Sequence, residues 1–184
     1  MTERGNEVTV LRVNTDEIMI DSDSISKMVD EVASRINADY SNEIVVVGVL
    51  TGAYVFVSDL VRKLKMPVIV DFMQVSSYVG ENSTGKLTIR KDINTDIKDR
   101  DVLIVEDIVD TGRTLKLLKA MLEERGARSV KICTAFNKPD RRVTDIEPDY
   151  NGFTIPDRFI VGYGLDYDGA FRQFPDVRIV KQER

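Results

Sequence analysis

Between residues 44 and 50 the chain reads Ile-Val-Val-Val-Gly-Val-Leu, seven positions without a polar side chain. A β-branched run of this length predicts a strand covered on both faces, as in parallel sheets. Apolar-rich runs at 68–72, 102–105 and 130–136 predict further buried strands, and Phe159-Ile160-Val161 a last one in the core. Between them the spacing turns helical. Ile25, Met28, Val29, Val32 and Ile36 predict a helix over 22–38 behind the cap-rich Asp21-Ser22-Asp23-Ser24. Val57, Leu60, Val61 and Leu64 predict a second, stopped before Pro67, and Leu115, Leu118, Met121, Leu122 and Arg125 a third, ending at Gly126. Strand and helix alternate, so the expected class is α/β with a mainly parallel central sheet flanked by helices. Residues 76–85 are polar and Gly-bearing without periodicity and read as an exposed loop, after which 86–90 looks extended again. Neither a repeat nor a linker divides the 184 residues, which predicts one domain over 1–184.

Composition changes this picture mainly by exclusion. With 42% hydrophobic and 31% charged residues the chain can bury a core, which argues against disorder. There is no His at all, so His-based triads, His general bases and His-ligated metals are ruled out. Acid–base work falls to carboxylates, Lys or Tyr. The single Cys133 cannot form an internal disulfide and, within its strand-like run, reads as a small buried apolar residue. A balance of 26 Lys+Arg against 31 Asp+Glu, net −5, argues against a general nucleic-acid binder while allowing a local basic pocket for a small phosphate. Residues 1–7 lack the pattern of a secretory signal, and no apolar run approaches a membrane span, so a cytoplasmic protein with no membrane or nucleic-acid partner is expected.

In open α/β sheets ligands sit beyond the carboxyl ends of the strands. The stretch after Val105 reads Glu106-Asp107-Ile108-Val109-Asp110-Thr111-Gly112-Arg113-Thr114, three carboxylates and then small, hydroxyl-bearing positions leading into a helix. Unpaired N–H groups and the positive dipole end of that helix, with two Thr hydroxyls, suit a phosphate monoester. Acids beside an anion site are useful if they grip sugar hydroxyls, bind Mg²⁺ or act as a base; a solvated capping turn is the other reading of such a loop.

This stretch resembles the phosphoribosyl-diphosphate motif of type I phosphoribosyltransferases, in the form of the hypoxanthine–guanine branch. Other segments agree in order and spacing. Leu50-Thr51-Gly52-Ala53 resembles the family's pyrophosphate loop, and Ser76-Ser77-Tyr78 through Gly85 its flexible closing loop. Asn137-Lys138-Pro139, the stretch from Pro156 to Tyr167, and Phe171-Arg172 resemble its purine-binding strand, hood and terminal pyrophosphate contact. The resemblance, from about residue 7 to 175, implies Mg²⁺-dependent exchange of the pyrophosphate of phosphoribosyl diphosphate for N9 of a 6-oxopurine, by a homodimer or homotetramer with a small hood from the N- and C-terminal segments.

Carried over by residue, it implies that Glu106 and Asp107 hold the ribose hydroxyls, and that Asp110 takes the proton lost from the base. Thr111, Gly112, Arg113 and Thr114 would cradle the 5′-phosphate, while Thr51, Gly52 and Arg172 would hold pyrophosphate. Mg²⁺ would lie near Glu106, Asp107 and Asp166. Lys138 would donate to O6 of the purine, Phe159 would stack on it, and backbone carbonyls near Ile160 and Asp166 would accept from a 2-amino group. Ser77 and Tyr78 would belong to a lid that excludes water. Thr51 offers the pyrophosphate no charge.

Two other motifs are decoys. Gly80 to Lys86 fits G-x-x-x-x-G-K, but Leu87 follows where Ser or Thr is needed. Asp166-Tyr167-Asp168-Gly169 resembles the start of a calcium loop but lacks the later Gly and Glu. A regulator that only senses phosphoribosyl diphosphate should carry a basic surface or a helix-turn-helix, and neither is present in the sequence. The segments from Lys138 to Asp166 disfavour an adenine or pyrimidine enzyme.

Overall fold

A computed structural model describes residues 13–77 and 87–182. In chain order the elements are β1 (Val13–Asn14), β2 (Ile18–Ile20), α1 (Ser22–Asp39), β3 (Ile44–Leu50), α2 (Tyr54–Val61), β4 (Val68–Ser77) and β5 (Leu87–Lys91). There follow β6 (Asp101–Val109), α3 (Arg113–Glu124), β7 (Ser129–Asn137), a 3₁₀ turn at Pro139–Arg141, β8 (Tyr150–Thr154), β9 (Ile160–Val161), β10 (Val177–Ile179) and β11 (Lys181–Gln182).

Six strands form the central sheet in the order β5-β4-β3-β6-β7-β8. All neighbours are parallel except β5, which runs antiparallel on the β4 edge. The continuous apolar runs make sense here, because successive side chains of a strand point to opposite faces. Ile44, Val46, Leu103, Val105, Cys133 and Ala135 pack under α1 and α2, whereas Val45, Val47, Val49, Val102, Ile104, Val130 and Ile132 pack under α3. Helix α1 begins where the Asp21 carboxylate accepts from the Ser24 N–H at 2.7 Å, and it buries Ile25, Met28, Val29, Val32, Ala33 and Ile36. Cys133 is fully buried, and burial pushes its thiol up.

A hood stands beside this sheet. Strand β10 pairs antiparallel with both β2 and β9, and β1 pairs with β11, so both ends of the chain contribute. Three sequence expectations change, and one element is new. Phe159-Ile160-Val161 does not join the core sheet: Ile160 and Val161 are buried but pair with β10 in the hood. Strand β6 continues through Val109, so Glu106 and Asp107 sit in the strand and not in the loop after it; Thr134, Phe136 and Asn137 of β7 pair with Glu106, Ile108 and Val109. Leu64 lies beyond the end of α2. Strand β8, without an expectation from sequence, caps the far edge of the sheet. Of the expected lid, Ser77 is the last residue of β4, while Tyr78 and the rest of that loop lie outside the described residues.

Candidate active site

The site lies beyond the carboxyl ends of β3, β6 and β7, at the middle of the sheet. Neighbouring residues of β6 face opposite ways, and this separates the two acids. Glu106 lines a cavity of about 90 Å³ with Val109, Asp110, Thr111, Gly112 and Thr114 at the start of α3. Asp107 lies against the turn after β3, which begins with a cis Leu50–Thr51 peptide. A Cβ on Gly52 would sit 1.5 Å from the Asp107 Oδ2, so only glycine lets that backbone come so close.

Both acids are half-buried. Burial, reinforced by the neighbouring charge of Asp107, pushes Glu106 well above the ordinary carboxylate range. Its Oε2 is buried with no hydrogen-bond partner. Burial pushes Asp107 up to about 6; its bond from the Ile108 N–H and the charge of Arg172 oppose the rise, and the charge of Asp166 adds to it. A buried carboxyl without a partner is costly, which marks Glu106 as a group waiting for one.

Asp166 and Arg172 meet each other. An Asp168-Gly169 turn, with φ of 50° and 82°, closes a two-residue hairpin in which Tyr167 and Ala170 exchange backbone hydrogen bonds. The turn brings Arg172 back to donate from Nη1 to the Gly164 carbonyl at 2.7 Å and to pair through Nη2 with the Asp166 Oδ1 at 2.7 Å. Asp166 Oδ2 accepts from the Gly169 N–H. Among the described residues, no three Asp, Glu or Cys side chains converge as a metal cage. The orphaned Glu106 oxygen and the all-carboxylate donor set nevertheless fit Mg²⁺, which takes one or two carboxylates and draws its other oxygens from substrate phosphates and water.

The expected phosphate cradle opens α3. Gly112 stands before the first turn at φ 80°, and its carbonyl accepts from Lys116. A Cβ there would meet the Thr144 Oγ1 at 2.3 Å and the Arg142 Cδ at 2.9 Å, so the loop rests directly on the stretch after β7. Thr111 and the exposed Arg113 flank it, with Arg113 N–H 3.5 Å from the Thr111 hydroxyl.

The residues expected to meet a base follow β7. Lys138, its side chain 10% exposed, donates from Nζ to the Arg158 carbonyl at 2.6 Å and stands 3.8 Å from Asp157. Phe159 is 56% exposed, the condition of a ring available for stacking, and Tyr167 braces it edge-on at 5.5 Å. Ile160 beside it is buried in β9. Asp110 is not a lone acid: Arg141 donates to its Oδ1 at 2.6 Å and Arg142 to its carbonyl at 3.0 Å. Sequence reasoning missed both arginines and Tyr167. The adjacent Arg pair just after Asn137-Lys138-Pro139 was the available signal, as Asp168-Gly169 was for the hairpin.

Comparison with known proteins agrees with this geometry. Residues 19–168 match the family model described as a phosphoribosyl transferase domain. Proteins named hypoxanthine-guanine phosphoribosyltransferase from Streptococcus pneumoniae and Lactococcus lactis are 43% and 42% identical, over 91% of this chain and 94% and 92% of theirs. The crystal structure of a hypoxanthine phosphoribosyltransferase from Staphylococcus aureus superposes with a TM-score of 0.87 at 41% identity, covering 91% of this chain and 92% of that one. A hypoxanthine-guanine phosphoribosyltransferase from Bacillus anthracis, with a HEPES molecule in its active site, gives 0.87 at 38% identity over 92% and 99% of the two chains. With its acids in β6, its anion loop at α3 and these relatives over most of its length, the chain belongs to the phosphoribosyltransferase family.

Proposed function

We propose that the chain transfers the 5-phosphoribosyl group of phosphoribosyl diphosphate to N9 of hypoxanthine or guanine, a Mg²⁺-dependent step of purine salvage. The observation that carries this reading is the set of groups that neighbouring strands bring to one end of the sheet. Glu106 of β6 shares a cavity with the loop that opens α3, and Lys138 follows the neighbouring strand β7, its Nζ bonded to the residue before the exposed Phe159. A substrate that carries a phosphate, a ribose and a flat base has a use for each of these groups.

In the reaction N9 bonds to ribose C1 while the C1–O bond to pyrophosphate breaks, and pyrophosphate leaves with the electron pair. Glu106 and Asp107 accept from ribose hydroxyls and place negative charge near a centre that becomes oxocarbenium-like. Asp110 takes the proton that the base loses. Residues 111–114 hold the 5′-phosphate through backbone N–H groups and hydroxyls. Arg172 and the backbone of Thr51-Gly52 hold the pyrophosphate. Mg²⁺, when bound by carboxylates among Glu106, Asp107 and Asp166, supplies charge neutralisation of the leaving group.

Base choice falls to Lys138, whose ammonium donates to O6, and to Phe159, which stacks on the ring. Backbone carbonyls near Ile160 and Asp166, on this reading, accept from a 2-amino group. Ser77 and Tyr78 belong, on this reading, to a loop that closes over the site. The chain works as one domain, in the cytoplasm, as a homodimer or homotetramer, with no nucleic acid as partner. Incubating it with phosphoribosyl diphosphate, Mg²⁺ and single bases tests the reading: product nucleotide from hypoxanthine or guanine supports it, and none from either rejects it.

A further inference from the structure

Asp110 is gripped at both ends by two consecutive residues to which the mechanism gives no part. Arg142 holds its backbone. The Arg142 side chain is only 7% exposed, and besides its 3.0 Å bond to the Asp110 carbonyl it donates to the Ile146 carbonyl, the Asn137 side chain and the Glu147 carboxylate. One planar guanidinium therefore ties the Asp110 peptide to the end of β7 and to the stretch before β8. A fork of fixed donors can do this, and a lysine cannot. Arg141 holds the other end. Its Nε donates to the Asp110 Oδ1 at 2.6 Å, and its Nη1 stands 3.4 Å from the Asp157 Oδ2. Asp157 in turn faces the Lys138 Nζ at 3.8 Å. The carboxylate assigned to the base proton is thus linked, through Arg141 and Asp157, to the ammonium assigned to O6.

We propose that Arg141 and Arg142 form a clamp of positioning residues that sets where the Asp110 carboxylate stands relative to the purine. The proposal rests on the role of Asp110 given above. Asp110 lies between the end of β6 and the start of α3, where the backbone has no strand or helix ladder to restrain it. A carboxylate must be within hydrogen-bond reach of the proton it takes, and small displacements are costly in rate. A carboxylate has two acceptor oxygens, so engagement of one by Arg141 is compatible with proton transfer to the other.

Steady-state kinetics with hypoxanthine and phosphoribosyl diphosphate on wild type, Arg141→Ala, Arg142→Lys, Asp110→Asn and the Arg141→Ala/Asp110→Asn double variant test this. Radiolabelled base followed over hours keeps even a variant slowed about 10³-fold readable. Arg141→Ala should lower kcat about 10-fold, leave KM for phosphoribosyl diphosphate within about two-fold and, being half-exposed, leave the melting temperature within about 2 °C. In the Asp110→Asn background the same change should cost less than about two-fold, since the group it positions has lost its function. Arg142→Lys should lower kcat further and also lower the melting temperature; if it fails to fold, the Arg141 pair of measurements decides alone. A kcat for Arg141→Ala above half of wild type, a parallel rise in that KM, or an undiminished loss beside Asp110→Asn would each overturn the clamp. Absence of transfer by wild type to any base would reject the functional reading, and the clamp with it.

Discussion

Glu106 is the residue at which function costs stability most visibly. Its folded-state pKa is raised, so the folded chain holds this proton to a higher pH than the unfolded chain does. Stability is therefore greatest below the ordinary value of 4.5 and falls as pH rises through the window above it. Glu106→Gln should melt at a higher temperature than wild type at pH 8, a gain that disappears near pH 4, while activity is lost. Scanning calorimetry at the two pH values checks this, and equal melting of the two proteins at pH 8 would contradict it. Asp107, pushed up to about 6, gives the matching kinetic expectation. KM for phosphoribosyl diphosphate should rise as pH falls below about 6, because the protonated acid is a weaker acceptor for a ribose hydroxyl and has lost the charge that would bind Mg²⁺. Asp71 shows the opposite sign. Burial works against its charge, but bonds from the Thr95, Phe72 and Asn94 N–H groups and the Thr95 hydroxyl hold it at about 2. Its contribution to stability is present above the ordinary 3.8 and is lost as pH falls through about 2. Asp110→Asn should lower kcat about 10²-fold or more, with a smaller change in phosphoribosyl diphosphate binding, as kinetics with both substrates varied would read.

The hairpin at Asp168-Gly169 carries the prediction at the scale of an element. A Cβ on Gly169 would meet nothing within 4 Å, yet the residue sits at φ 82°, so Gly169→Ala adds backbone strain without a clash. It should cost about 1 kcal/mol and misplace Arg172, raising the inhibition constant of pyrophosphate more than the KM of the base. Elements of this kind divide what was legible from what was not. Strand β3 and helix α1 were readable because burial on two faces, or on one stripe, imposes a period that few other structures share. The length of β6 was not, because Glu106 and Asp107 are polar residues in a strand that opens onto a ligand site, and a polar pair there reads as a loop. The run Phe159–Val161 has the pattern of a core strand, but burial alone does not say which sheet supplies the partner. Arg141 ends the short 3₁₀ turn after β7 and Arg142 caps it, and both gain their role only from contacts some thirty residues away in the chain. No local pattern records such contacts. The acid-rich stretch was legible because its chemistry is contiguous in sequence, whereas the pairing of Asp166 with Arg172 needs a turn to create it.

Across the molecule, helices on both faces bury a mainly parallel sheet, and the ends of its neighbouring strands β6 and β7 hold the carboxyls, the loop into α3 and Lys138. The central claim is the identity of the base, and it rests on donors and acceptors at Lys138. An ammonium has three donors and no acceptor, so it satisfies O6 of hypoxanthine or guanine but meets the amino group of adenine donor to donor. At about 1–3 kcal/mol for each buried group left unpaired, adenine should be disfavoured by at least about 10²-fold in kcat/KM. Lys138→Gln can turn an amide oxygen toward that amino group, so it should lose most activity on 6-oxopurines and narrow the gap. The most direct test is kcat/KM of the wild-type chain for hypoxanthine, guanine, xanthine and adenine at one Mg²⁺ concentration with saturating phosphoribosyl diphosphate. The account predicts turnover of hypoxanthine or guanine at least about 10²-fold above adenine; adenine turned over at a rate comparable to hypoxanthine would contradict it.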